Sequence, residues 1–270
     1  MIQQISSLQN PGIKNIIQLA EKSRIRREQN LFIIEGEREI SRATASGYII
    51  DSCYYCPEIL TPASLEVLKF IRKEVKLFEV TRPVYSKIAY RENSDGMVVT
   101  AFMRNSGPDD LNLPENPLIL ILESIEKPGN LGAILRTADA AGLDAVIICD
   151  PQTDIYNPNV IRSSLGCLFS NQVIICKPSE AISLLKKKGI RIYAAALQDS
   201  SPYHEEDFTV GSAFVMGTEA DGLTKIWREE ADRIIQIPMA GIADSLNVSV
   251  SAAVLVFEAV RQRSVARSRK

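Results

Sequence analysis

The chain is short of the residues that build metal centres and disulfide frameworks. It holds a single histidine, His204, and five cysteines, an odd number. An odd count argues against a complete disulfide framework. Cys53-Tyr54-Tyr55-Cys56 forms one close pair, and without a second pair or a second histidine it gives a zinc site little support. Two reduced cysteines near a strand end is the simpler reading, with a redox pair as the alternative. No metal is expected. Also missing is any apolar run long enough to span a membrane, and the opening Met1–Asn15 stretch lacks the apolar middle of a signal peptide. The chain therefore reads as cytoplasmic, with no membrane partner. Nor is there a large charge excess: 31 Lys and Arg against 33 Asp and Glu leave −2, which does not by itself announce a nucleic-acid binder. Gly129-Asn130-Leu131-Gly132 is glycine-rich, but it matches neither the dinucleotide fingerprint nor the phosphate loop, which needs Gly-Lys-Ser/Thr. A dinucleotide oxidoreductase and a P-loop nucleotide hydrolase are excluded on that ground.

What is present is ordinary globular composition, 46 % apolar and 24 % charged, in a length that suits one large domain or two modest ones. The clearest boundary is Ser106–Asn116, rich in Pro, Asn, Asp and Ser and without apolar periodicity. It divides the chain into residues 1–105, a linker 106–116, and residues 117–270. In the first part the pattern predicts a helix from Asn10 to about Arg27, a strand Leu31–Ile34 and a helix Gly36–Ser46. Strands at Ile49–Tyr55, Lys76–Val80 and Met97–Phe102 follow, with a helix near Ala63–Lys73 among them. That alternation predicts a small α/β sandwich.

The second part alternates more strictly. Strands are predicted at Pro117–Ser124, Asp144–Asp150, Gln172–Cys176, Arg191–Leu197, Gly211–Gly217 and Ile234–Met239. Helices are predicted at Gly129–Gly142, Ser179–Lys188 and Asn247–Arg263. Repeated β-α-β units with apolar strands imply an α/β fold with a mostly parallel sheet covered on both faces. Ligands of such sheets sit beyond the carboxyl ends of the strands, where the polar and glycine-rich segments of this chain fall. Basic residues gather at both ends: Lys14, Lys22, Arg24, Arg26 and Arg27 at one, Arg261, Arg263, Arg267, Arg269 and Lys270 at the other. Either group can meet phosphate or form a solvated helix face.

Three segments carry the chemistry. In the first, Pro128 and Gly129 turn the chain, Asn130 is placed to cap the helix that follows, and Arg136 stands six residues on. A loop, a cap and a surface arginine account for it as well as a site does. In the second, Gly217 ends a strand and Glu219 follows, with Gly222 beyond. A strand-end Gly-x-Glu can hold a carboxylate over a pocket, though by itself it is common. In the third, Ser245, Leu246 and Asn247 lie between Ile237-Pro238-Met239 and a long apolar helix. Ser245 or Asn247 serves to cap that helix, yet capping alone does not need so polar a loop.

Together, in order and spacing, these segments resemble the three motifs of the SpoU (TrmH-type) branch of the SPOUT methyltransferases. Asn130-x-Gly132-x-x-x-Arg136-Thr-Ala, Gly217-x-Glu219-x-x-Gly222-Leu223, and Ile237-Pro238-Met239 followed by Ser245-Leu246-Asn247-Val-Ser-Val carry the likeness over about Leu118–Gln262. Asn157–Phe169 is similar to the family's basic segment between the first two motifs, with Asn159 where lysine is expected. Lys127 replaces a more usual acidic or amide residue. The first part, from Ser7 to Ile40, resembles the small substrate-binding domain many of these enzymes carry.

The resemblance implies an S-adenosylmethionine-dependent RNA 2′-O-methyltransferase with a deep trefoil knot near its C-terminus, acting as a homodimer. Knots of this kind are rare exceptions among folds. It also implies that Leu197, Gly217, Ile237, Met239 and Leu246 hold the adenosine. Arg136 stands at the 2′-hydroxyl, Asn130 orients it or a phosphate, Glu219 positions that arginine or a partner, and Ser245 and Asn247 order the site. Arg136 acts as base or, being always protonated, as the cation that stabilises the developing alkoxide. Lys14, Arg26, Arg27 and Arg162 are the candidates to touch RNA. Only RNA offers a 2′-hydroxyl, and a separate substrate domain favours ribosomal RNA over tRNA. A knotted base methyltransferase and a non-catalytic RNA-binding protein are the rivals. Retention of Arg136, Glu219 and Asn247 weighs against the second.

Overall fold

A computed structural model describes residues 2–71, 75–90, 94–218 and 222–268. Two compact units divide the chain: Met1–Arg104 with Asp154–Ser170, and Asn105–Thr153 with Asn171–Lys270.

The first unit runs β1 (Gln3–Ile5), α1 (Pro11–Glu21), α2 (Ser23–Gln29), β2 (Leu31–Glu35), α3 (Glu37–Ala45), β3 (Ile50–Tyr55), α4 (Pro62–Ile71), β4 (Lys76–Val80), α5 (Arg82–Ile88) and β5 (Met97–Phe102). The single helix expected from Asn10 is two. Asn10 caps the first, its side chain accepting from the Gly12 amide at 2.8 Å, with Pro11 in the first turn. Lys22 is extended at φ −118°, and α2 restarts behind it to end at Asn30 in the left-handed region. The strands form one sheet in the order β1-β4-β3-β5-β2; β1, β4 and β3 are parallel, while β5 is antiparallel to both of its neighbours. Ile13, Ile16 and Leu19 of α1 lie at a helical spacing and pack into a core with Ile33, Val80 and Val98. Cys53 and Cys56 are free, buried thiols, and burial pushes Cys53 up to about 12, leaving little thiolate for redox exchange.

The chain then enters the second unit. The stretch read as a linker packs into it: Leu111 and Leu113 lie against its core, and Asn112 exchanges two hydrogen bonds with the Gln172 side chain. There follow β6 (Leu118–Glu123), α6 (Pro128–Ala141) and β7 (Ala145–Cys149). Residues 154–170, placed by sequence in the second part, pack with the first unit instead. They form α7 (Pro158–Ser163) and α8 (Cys167–Ser170). Tyr156 sets its ring 4.3 Å from Phe32, and Phe169 sets its ring 5.0 Å from Tyr48.

Back in the second unit come β8 (Val173–Cys176), α9 (Pro178–Lys187), β9 (Arg191–Ala195), β10 (Ser201–Pro202), β11 (Ser212–Met216), α10 (Lys225–Glu230), β12 (Arg233–Gln236) and α11 (Val248–Ser268). Their sheet is parallel throughout, in the order β10-β12-β9-β11-β6-β7-β8. The order reverses beside β6, with β7 and β8 running one way and β11, β9 and β12 the other. Buried residues line both sides of the central strands, as a sheet covered on two faces requires. Ile119, Ile121 and Val215 join α9 and α10 in one core around Trp227. By alternation Leu120 and Leu122 face the opposite way, and α6 and α11 pack together and against the sheet. Arg263 of α11 does not meet solvent phosphate. Its guanidinium donates to the carbonyls of Asn116, Pro117, Phe208 and Val210 at 2.6 to 3.0 Å.

Candidate functional site

The carboxyl ends of β9, β11 and β12 open on a cavity of about 410 Å³ within the second unit. Its walls include Leu197 after β9, Met216 and Gly217 at the end of β11, and Ile237 and Met239 after β12. Ser245, Leu246, Val248 and Leu255 close it from the loop before α11 and from α11 itself. All five residues expected to hold an adenosine thus line one cavity, and Ser245 is set among them. A chamber of a few hundred cubic ångströms that sets polar groups among apolar walls is the form a small-molecule site takes.

Gly217 is at the tightest point. A Cβ built there would stand 2.2 Å from the Gly222 carbonyl oxygen, so no other residue fits without moving the loop. The approach is fixed by two backbone hydrogen bonds, Thr218 N–H to the Gly222 carbonyl and Gly222 N–H to the Thr218 carbonyl, at 3.1 and 3.2 Å. Between them fall residues 219–221; Glu219 lies outside the described residues. The far side of the loop is tied down by Glu123, a buried carboxylate at the end of β6. It accepts from the Thr224 amide at 2.8 Å and from the Thr224 hydroxyl at 2.6 Å. Sequence reasoning missed Glu123. A lone acid closing a wholly apolar strand was its only signal.

The first and third motifs meet beside this cavity. Asn247 Nδ2 donates to Asn130 Oδ1 at 3.2 Å. Asn247 also caps α11, its Oδ1 accepting from the Ser249 amide at 3.0 Å and the Ser249 hydroxyl at 2.6 Å. One side chain therefore serves as both cap and bridge, and Ser245 is not the cap. Asn130 is not a cap either, because α6 begins at Pro128 with Lys127 in the cap position. That places Asn130 in the first turn, its side chain reaching across the chain to Asn247. Arg136 follows on the exposed face of α6, about 9 Å farther along the axis at the usual rise per residue. Among the described residues no group of three or more His, Cys, Asp or Glu is arranged to hold a metal ion.

The RNA candidates all belong to the first unit. Lys14, Arg27 and Arg162 are exposed on α1, α2 and α7. Arg26 is not. It is 1 % exposed, with Nε 2.6 Å from Asp154 and Nη1 donating to the Leu19 and Ala20 carbonyls. Its charge is spent joining α1 and α2 to the 154–170 segment, so it offers nothing to RNA. Asn159, standing where a lysine was expected, accepts from the Tyr90 hydroxyl at 2.7 Å.

Comparison with known proteins fits this geometry. The SpoU rRNA Methylase family profile matches residues 117–257, and that of the MRM3-like substrate binding domain matches residues 10–99. The chain is 31 % identical to the 23S rRNA (guanosine(2553)-2′-O)-methyltransferase RlmP of Bacillus subtilis (strain 168), over 95 % of this chain and 98 % of that one. A crystal structure of an RNA 2′-O ribose methyltransferase superposes with a TM-score of 0.83 at 37 % identity, covering 97 % of this chain and all of the other. That of the AdoMet-bound rRNA methyltransferase from Sinorhizobium meliloti superposes with a TM-score of 0.89 at 29 % identity, covering 96 % and 98 %.

Proposed function

The chain belongs to the SpoU rRNA methylase family, and from that premise we propose that it transfers a methyl group from S-adenosylmethionine to a ribose 2′-hydroxyl of ribosomal RNA. The observation that carries the reading is the Asn247–Asn130 hydrogen bond at the edge of the cavity. It ties together two motifs that lie 117 residues apart in sequence, beside a chamber whose walls are the residues expected to hold an adenosine. A guanosine of the large-subunit RNA is the favoured target, because the relative matching nearly the whole chain is named for one.

The cavity fits the cofactor on its own chemistry: apolar side chains for an adenine and backbone groups at the strand ends, where Gly217 lets the loop fold back against Gly222. Bound there, S-adenosylmethionine supplies a methyl group on a sulfonium that leaves as a neutral thioether. What the protein must add is alignment and the loss of one proton. Leu197, Ile237, Met239 and Leu246 keep water from the adenosine. Asn130, held by Asn247, orients the hydroxyl or the phosphate beside it. Arg136 places a fixed positive charge where the 2′-oxygen becomes anionic, and the proton passes to water or a phosphate. Glu219 positions Arg136 or a partner, and Ser245 orders the site with Asn247.

The finer points of the reading are a C-terminal trefoil knot, a homodimer and work in the cytoplasm. The homodimer is supported by α11, which leaves Val250, Phe257 and Val265 exposed at spacings that share one helix face. The deciding experiment supplies labelled S-adenosylmethionine and RNA from cells lacking the enzyme, both naked and as ribosomal precursors, then analyses the nucleosides. A labelled 2′-O-methylnucleoside is expected. A labelled base would overturn the ribose reading, and no transfer to either substrate would overturn the assignment.

A further inference from the structure

The cavity wall carries two charges among the described residues, Arg228 and Asp244, one of each sign. Neither belongs to the three motifs. Arg228 sits on α10, a helix of six residues that is pinned on both sides. Before it, Thr224 is held by the buried carboxylate of Glu123 through two hydrogen bonds. Beside it, Trp227 is fully buried in the core. The backbone beneath Arg228 is thereby fixed while the side chain stands exposed at the cavity.

Its guanidinium lies between two strand-end loops. Nη1 donates to Gln198 Oε1 at 3.2 Å in the loop after β9. Nη2 stands 3.8 Å from where a Cβ on Gly222 would be, over the loop after β11. One hydrogen bond uses one of five N–H donors, and among the described residues no carboxylate pairs with Arg228. A permanent cation with donors to spare, set in a cavity wall of mixed apolar and polar groups, is a fork for an anion.

We propose that Arg228 binds the α-carboxylate of the cofactor's amino-acid end and so sets the cavity's preference for the whole cofactor over a bare thioadenosine. This rests on the reading of the cavity as an S-adenosylmethionine site. Asp244 supplies the opposite sign in the same cavity lining. Arg228 is a binding residue, and it acts on affinity rather than on the transfer itself.

Calorimetric binding of two ligands to the full chain tests it. S-adenosylhomocysteine carries the amino-acid end, and 5′-methylthioadenosine lacks it. Arg228→Gln should weaken S-adenosylhomocysteine by about 10-fold or more, the scale of one charge-assisted hydrogen bond, and leave 5′-methylthioadenosine within about twofold. Arg228→Lys should recover part of the loss, and the loss should shrink as salt is raised. Equal weakening of both ligands, or of neither, overturns the role of Arg228 and leaves the cofactor site standing. If the unaltered protein binds neither ligand, the cofactor reading itself falls, and this inference with it.

Discussion

On the proposed reading Gly217 shapes the cofactor cavity and Arg136 stands at the reacting hydroxyl, and substitution separates the two roles. At Gly217 a methyl group would meet the Gly222 carbonyl oxygen at 2.2 Å, so the loop that closes the cavity must move. Gly217→Ala should lose S-adenosylhomocysteine affinity by about 10-fold or more and cost about 1–3 kcal/mol of stability, the usual scale of overpacking. Arg136 lines no part of the cavity. Arg136→Ala should lower methyl transfer by about a hundredfold or more, as the loss of a charge-stabilising group does, with S-adenosylhomocysteine bound as before. Measured side by side, the two variants should fail in different assays. Loss of ligand binding in Arg136→Ala would refute the role given to that arginine. Residues such as Gly217 and Leu246 were legible because a motif fixes their order along the chain. Glu123 was not. Its partner Thr224 is 101 residues away, and no pattern of spacing announces a pair made only in three dimensions.

Elements were legible where their apolar pattern is long, and illegible where tertiary contacts decide. Strands β4 and β5 fall where alternation puts them. The break between α1 and α2 does not, because Ile13, Ile16, Leu19, Ala20 and Ile25 carry apolar residues across it and only the backbone of Lys22 departs. Helix α10 was missed for its six residues. Helix α11 was read correctly as long and apolar, but sequence alone does not say which side is covered. Val248, Ala252, Leu255, Val256 and Ala259 are buried, whereas Val250 and Phe257 are each 47 % exposed. On the dimer reading this stripe is the association surface, because a twofold dimer places the same stripe on both partners. Sedimentation of the full chain at micromolar concentration should show a dimer, and Phe257→Lys should weaken it by about 30-fold or more, the scale of a buried aromatic anchor. A monomer at those concentrations before any substitution would sink the dimer reading.

At the scale of the whole molecule the two units differ in how they carry ionisable groups. Six of the eight tyrosines, Tyr48, Tyr54, Tyr55, Tyr85, Tyr90 and Tyr156, belong to the first unit, and the single tryptophan, Trp227, belongs to the second. Burial raises Tyr48, Tyr54, Tyr55, Tyr85 and Tyr156 above the ordinary phenol value, and pushes Cys53 up to about 12. A group whose folded value is raised holds its proton at a pH where the unfolded chain has released it. Stability then falls with rising pH, because the folded state binds more protons than the unfolded one. The contribution is whole below about pH 8.5, where an unfolded cysteine begins to ionise, and for Cys53 it is gone by about 12. The second unit has fewer groups raised this way, Tyr193 by burial and Cys149 by its hydrogen bond with Cys176 and by burial, and it carries groups of the opposite sign as well: hydrogen bonds from Thr209 lower Asp207, and those from Arg261 lower Glu258. Those two add stability above the ordinary carboxylate range and lose it as pH falls below about 4. Alkali should therefore attack the first unit ahead of the second. Titrated upward from about pH 8, tyrosine ionisation should rise steeply with a loss of circular dichroism while Trp227 emission is unchanged. Emission that shifts at the same pH and in the same proportion would show the two units melting as one, and the division of alkaline sensitivity between them would be wrong.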